Sequence, residues 1–202
     1  MKNKIWIVGM GPGKEEMMTG EALKALEAAD VIIGYTVYIK LLGERFADKE
    51  MRTTPMRQEE ERCKLCFEEA KKGKQVAMVC SGDAGIYGMA SLLYEMGKEY
   101  PDTEIFVIPG ITAACSGAAV LGAPLNHDFC VISLSDLLTP WEKIEKRLLA
   151  AAGGDFAIAI YNPSSHKRKD YLKKACDILL RVIEEERPCG YEIGRASCRE
   201  RV

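Results

Sequence analysis

The chain has no excess of positive charge. Its 28 lysines and arginines stand against 30 aspartates and glutamates, a net charge of −2, so no broad basic field advertises nucleic acid as a partner. It also lacks a long apolar run. Stretches such as ADVIIGY and DFAIAIY fall far short of the roughly 20 residues that a helix needs to cross a bilayer. The start MKNKIWIVG runs directly into a strand pattern in place of a secretory leader. A cytoplasmic protein that engages neither nucleic acid nor membrane is the expectation. Histidine is scarce, limited to His127 and His166, so few side chains titrate near neutrality. The eight cysteines include one close pair, Cys63 and Cys66, but no second CxxC follows at ligand spacing, and the pair sits in a helical stretch of charged and apolar residues. No protein metal site is expected. Cys80, Cys115, Cys130 and Cys176 lie in apolar surroundings and read as small buried hydrophobes in a reducing cytosol.

What is present is alternation. IWIVG, VIIG, QVAMVCSG, EIFVIPG, FCVISLS and DFAIAIYNP read as strands. Between them lie the helical patterns TGEALKALEAAD, RQEEERCKLCFEEAKKG, IYGMASLLYEMGKEY, PWEKIEKRLLAA and KRKDYLKKACDILLRVIEEE. Strand and helix in turn call for parallel sheet with crossover helices. A chain of 202 residues buries roughly 70% of its unfolded surface, enough for one large or two small α/β domains. The cycle restarts after PGITAA, which puts a domain boundary near Pro109 to Ala114.

Five motifs carry the chemistry. GMGPG, at Gly9 to Gly13, follows the first strand as a dinucleotide fingerprint would, but Lys14 stands where the third glycine belongs, and the second strand ends in Gly34-Tyr35 without a ribose-binding acid. Pro12 instead stiffens a glycine loop whose backbone can approach a ligand closely, and a plain tight turn is the alternative. SGDAGIYGM, at Ser81 to Met89, has three glycines in seven residues where a strand hands over to a helix; open α/β sheets bind ligands at this carboxyl end. Asp83 there either offers negative charge to a cationic ligand or caps the following helix. PGITAA opens a helix at Thr112. GAPLNHDFCVISLSDLLTPW, at Gly122 to Trp141, contains His127, Asp128 and Asp136, which are suited to proton transfer or to ordinary structural hydrogen bonds. YNPSS, at Tyr161 to Ser165, leaves a buried strand, as an ordinary turn also would.

In this order the five motifs resemble the S-adenosylmethionine-dependent tetrapyrrole methylases of cobalamin synthesis, and within them the branch acting at C17 of precorrin-3B or of its cobalt-containing counterpart. The resemblance runs from about Lys4 to Tyr191. It implies a class III methyltransferase fold of two α/β domains with a cleft between them, here 1–111 and 112–191, the second incomplete. It further implies S-adenosyl-L-methionine as cofactor, held near Pro12, Ser81, Gly82, Asp83, Ile86, Thr112, Ala113 and Tyr161. The substrate is a corrin precursor whose many carboxylates call for local cations; Lys167, Arg168 and Arg57 are the candidates, and Lys169 reads as a solvated helix face. Methylation with ring contraction also needs proton movement, for which His127 and Asp136 stand as catalytic candidates. Any cobalt belongs to the substrate. Family members are usually homodimers. The alternatives are a methylase of the same fold acting at C11, at C20 or on diphthine, and, from a different class, a fragment that binds a small molecule without catalysis.

The last eleven residues, EIGRASCRERV from Glu192 to Val202, translate a common sequencing-library adapter. The expectation is a non-native tail on a gene cut mid-frame, to be excluded from fold reasoning. Without the tail's three arginines and two glutamates, 25 basic residues face 28 acidic ones. A chain missing its family's C-terminal strands would be marginally stable and weakly active or inactive.

Overall fold

A computed structural model describes residues 3–165 and 167–192. The described residues form two compact units that divide between Ser116 and Gly117. The expectation for the tail concerns, from residue 193 on, a segment outside those described.

The first unit is a five-stranded, all-parallel sheet. Its strands are β1 (Asn3–Gly9), β2 (Val31–Tyr35), β3 (Glu50–Thr54), β4 (Val76–Cys80) and β5 (Thr103–Ile108), in the order β3-β2-β4-β1-β5. Every residue of β4 is buried, as expected of a central parallel strand covered on both faces. Period-two alternation sorts its side chains. Val76, Met78 and Cys80 join Ile5, Ile7, Val31 and Ile33 in a core with α3 (Glu59–Lys71) and α4 (Ala90–Gly97). Ala77 and Val79 face the other way, into a core with Val8, Ile32, Phe46 and the buried stripe of α1 (Gly20–Ala28).

Local chemistry starts and fixes the helices. The Thr19 hydroxyl accepts from the Ala22 N–H at 3.1 Å and so caps α1. A short helix, α2 (Thr36–Ile39), leaves β2 directly. The charged α3 nonetheless buries Cys63, Cys66, Phe67 and Ala70 on one face, and the Phe67 ring stacks on Tyr100 with centroids 4.0 Å apart. Glu69, its side chain 1% exposed, is ringed by Lys72, Lys74 and Arg52 at 2.7, 2.7 and 3.8 Å. Hydrogen bonds from Lys72 and Lys74 bring its carboxyl down to about 2.

Helix α5 (Ala113–Val120) contains the division between the units. The second unit has β6 (Phe129–Ser133) parallel to β7 (Ala157–Tyr161), with Phe129 opposite Ala157 and Ser133 opposite Tyr161. Helices α6 (Trp141–Gly153) and α7 (Tyr171–Leu179) close its core around Ile132, Leu134, Ile144, Leu148 and Ile178. The α/β class expected from the alternation is the class observed.

Three details differ from the sequence reading. EMRTT forms strand β3 although it is polar, because an edge strand is held by pairing with β2, in a register that sets Val31 against Glu50, and only its last residue, Thr54, is buried. The final helical pattern yields a helix that ends at Leu179, well short of the glutamates at 184–186. Cys115 and Cys176 are exposed, not buried, because the helix faces that carry them look outward. Cys80 is buried as expected, Cys130 only half-buried, and Cys63 and Cys66 are buried as well. Burial pushes the Cys63 thiol up to about 12 and the Cys80 thiol up to about 11, so they are inert.

Candidate functional site

The carboxyl ends of β1, β4 and β5 bring three of the motifs together. A Cβ on Gly9 would fall 2.6 Å from the Gly110 nitrogen and 2.8 Å from the Gly82 oxygen; one on Gly110 would fall 2.2 Å from the same oxygen. GMGPG, SGDAGIYGM and PGITAA therefore meet backbone to backbone, at a separation that no side chain permits. Gly11 and Gly82, both at positive φ, exchange N–H···O bonds of 3.0 and 2.8 Å, and the Met10 N–H donates to the Cys80 carbonyl at 2.8 Å. The loop after β1 is thus laid as a short antiparallel clasp on the loop after β4.

Asp83 completes this junction. One carboxylate oxygen accepts from the N–H groups of Gly85 and Ile86 at 2.7 and 3.1 Å, and the other accepts from the Gly110 N–H at 3.0 Å. Asp83 does not cap a helix as expected, because α4 begins only at Ala90 with Met89 before it; its carboxylate closes the bend 83–86 instead and reaches 27 residues along the chain to the PGITAA loop. Pro12 and Gly82 are buried beside the clasp, Ser81, Asp83, Thr112 and Ala113 are half-buried, and Ile86 is exposed. Seven of the eight residues named for the cofactor thus lie in the three loops or at the helix start that follows them, six of them buried or half-buried and Ile86 exposed.

The eighth, Tyr161, ends β7 in the second unit and is half-buried. There the loops after β6 and β7 are tied together. The Asn162 side-chain amide donates to Ser133 Oγ at 2.9 Å, and the Ser135 N–H donates to the same hydroxyl at 3.1 Å. Asp136 is engaged. It accepts from the Tyr171 hydroxyl at 2.6 Å and faces the Arg168 guanidinium at 3.9 Å. That hydrogen bond raises the Tyr171 hydroxyl above its ordinary value, so the phenol keeps its proton. The Tyr171 ring packs on Trp141 at 4.7 Å.

The remaining named residues do not share one environment. Arg168, 15% exposed, donates to Ser165 Oγ at 3.1 Å and bridges to the Leu134 carbonyl at 3.5 Å, so it braces its own loop. Lys167 and Arg57 are exposed, Arg57 at the strained φ of 67°. His127 is exposed just before β6. His166 lies outside the described residues. Two features escaped the sequence reading. Tyr171, 35 residues from Asp136, carried no signal beyond opening a helix, and Arg62, among the glutamates that begin α3, reads as a solvated charge although the fold buries it. Among the described residues no group of three or more His, Cys, Asp or Glu side chains could hold a metal, and no helix is long and apolar enough to cross a membrane.

The family description "Tetrapyrrole (Corrin/Porphyrin) Methylases" matches residues 4–201. The chain is 49% identical over 185 residues to a probable cobalt-factor III C(17)-methyltransferase of Salmonella typhimurium, covering 91% of this chain and 77% of that protein. It is 39% identical over 203 residues to a precorrin-3B C(17)-methyltransferase of Sinorhizobium, covering 98% and 79%. Among solved structures, that of the methyltransferase CobJ superposes with a TM-score of 0.84 at 42% identity, covering 90% of this chain and 77% of that one.

Proposed function

We propose that this chain, which belongs to the tetrapyrrole (corrin/porphyrin) methylases, transfers a methyl group from S-adenosylmethionine to C17 of precorrin-3B or of cobalt-factor III, with contraction of the ring. The observation that carries the reading is the glycine junction. Three loops at the carboxyl edge of a parallel sheet are held so close that only backbone lies between Gly9, Gly82 and Gly110. A bare, rigid backbone at that edge is the place where an α/β sheet receives a ligand.

The residues fit a sulfonium cofactor. The Asp83 carboxylate oxygens accept three backbone N–H groups beside the junction, and Thr112, Ala113 and Ser81 are small enough to leave room for a ligand. When bound, S-adenosylmethionine supplies an already activated methyl group, so the protein's task is alignment and exclusion of water. Pro12, Ser81, Gly82, Asp83, Ile86, Thr112 and Ala113 hold the cofactor in this reading. His127, exposed just before β6, is the acid–base candidate. Asp136 acts with Tyr171, a protonated phenol on its carboxylate. Lys167 and Arg57 meet the acid groups of the macrocycle, and Arg168 supports Asp136. The protein works in the cytoplasm as a homodimer, without nucleic acid or membrane, and any cobalt arrives with the substrate.

The test is incubation with methyl-labelled S-adenosylmethionine and, separately, precorrin-3B and cobalt-factor III. Label at C17 by NMR bears out the reading, and the preferred substrate separates its two forms. Label at C11 or C20 reassigns the chain within the family. Binding of S-adenosylhomocysteine without turnover of either substrate favours the non-catalytic fragment.

A further inference from the structure

Arg62, in the first turn of α3, is 5% exposed and poorly satisfied. One terminal nitrogen donates to the Pro55 carbonyl at 3.2 Å, and the other lies 3.8 Å from the Met89 sulfur, a weak acceptor. Its Nε is buried without a partner. None of the ion pairs among the described residues includes Arg62. A desolvated cation without a counter-charge is unfavourable, and the usual remedy is a carboxylate or a ligand anion.

A second unmet donor belongs to the residue next to the one whose carbonyl Arg62 holds. Thr54, 6% exposed at the carboxyl end of β3, has a buried hydroxyl with no partner, and it precedes Pro55. Both are at the ligand-receiving edge of the sheet. The Arg62 charge acts on the thiol of Cys80, the last residue of β4. The two loops that touch the guanidinium each carry a non-glycine residue in left-handed backbone, Arg57 at φ 67° after β3 and Tyr87 at φ 54° after β4, strain of the kind that gathers at binding sites. A merely structural tie between the loops would need no charge; a neutral donor would serve.

We propose that Arg62 and Thr54 form an anchoring subsite for a carboxylate of a bound ligand. The identity of that ligand rests on the methylase reading, which offers two sources, an acid arm of the macrocycle and the amino-acid carboxylate of the cofactor. Guanidinium and hydroxyl together suit either one, with the guanidinium presenting paired N–H groups to one carboxylate.

The experiment uses the full chain and two probes, S-adenosylhomocysteine by calorimetry and uroporphyrin I, an octacarboxylate tetrapyrrole, by fluorescence quenching. Arg62→Gln is expected to weaken one probe by about 10- to 100-fold, the effect of losing a charge-assisted pair, while Arg62→Lys retains part of the affinity. The probe that weakens identifies the source. Thr54→Val is expected to weaken the same probe by about threefold, and to raise the melting temperature of the unliganded protein because it removes an unpaired hydroxyl. Arg62→Gln without ligand should melt no lower than wild type. If both variants leave both affinities within twofold, or Arg62→Gln melts lower while binding as before, the subsite is refuted and Arg62 is a structural tie. Wild type that binds uroporphyrin but not S-adenosylhomocysteine sinks the methylase reading alone, and the subsite then stands or falls on the uroporphyrin arm. Wild type that binds neither overturns both.

Discussion

Gly110→Ala tests the junction most directly. The added Cβ would lie 2.2 Å from the Gly82 oxygen and 2.6 Å from the Gly9 carbonyl carbon and oxygen, all backbone atoms with no rotamer to turn away. Two responses are open. If the loops hold, the overlap is absorbed as strain, costing about 1–3 kcal/mol as overpacking does. If they part, the Gly11–Gly82 pair of hydrogen bonds and the bond from the Gly110 N–H to Asp83 are lost; at about 1 kcal/mol for each amide bond and about 2 for the charged one, that is about 4 kcal/mol. The expected loss is therefore about 3 kcal/mol, a large part of a small domain's stability. Urea unfolding followed by circular dichroism reads it as a lower midpoint at unchanged slope. Gly20→Ala is the control. It opens α1 with nothing within 4 Å of a new Cβ, and should be neutral or stabilising by up to about 1 kcal/mol. S-adenosylhomocysteine titration of the folded Gly110→Ala protein should show at least about tenfold weaker binding, from displacement of the loop backbone. A Gly110→Ala protein that unfolds within about 0.5 kcal/mol of wild type and binds as wild type does would refute the reasoning.

Asp83→Asn keeps an acceptor for the Gly85 and Ile86 N–H groups but turns an amide toward the Gly110 N–H; a loss of about 2 kcal/mol in urea is expected, and Asp83→Ala should lose no less. Glu69 gives a pH signature. Its folded value of about 2 lies below the ordinary 4.5, so its stabilisation is full above pH 4.5 and is lost as pH falls toward about 2. Because Lys72 is 59% exposed, water screens the pair and the effect should be about 1 kcal/mol; Glu69→Gln should flatten that part of the acid unfolding curve, and an unchanged curve would count against it. For His127→Ala, loss of a bell-shaped limb of the rate profile at unchanged cofactor affinity would identify the acid–base group, whereas unchanged turnover removes His127.

Much of this protein was legible without coordinates, for identifiable reasons. Buried parallel strands such as VAMVC and IWIVG must be apolar on both faces, so composition alone marks them, and glycine clusters after them mark loops that cannot carry side chains. Alternation then sets the α/β class, and the order of motifs points to the family. Other features arise only when distant segments meet. EMRTT is a strand because β2 offers it a partner, not because of its own residues. That Gly9, Gly82 and Gly110 touch one another, and that Asp83 spans 27 residues to hold the contact, follows from the order in which strands β4, β1 and β5 lie side by side. Cys115 and Cys176 share apolar neighbours in sequence with the buried thiols yet face outward, because helix phase decides burial. Asp136 finds Tyr171 and Arg62 loses its solvent for the same reason. Sequence fixes what each side chain can do, while burial and partners, which set whether it does so, are properties of the packed chain.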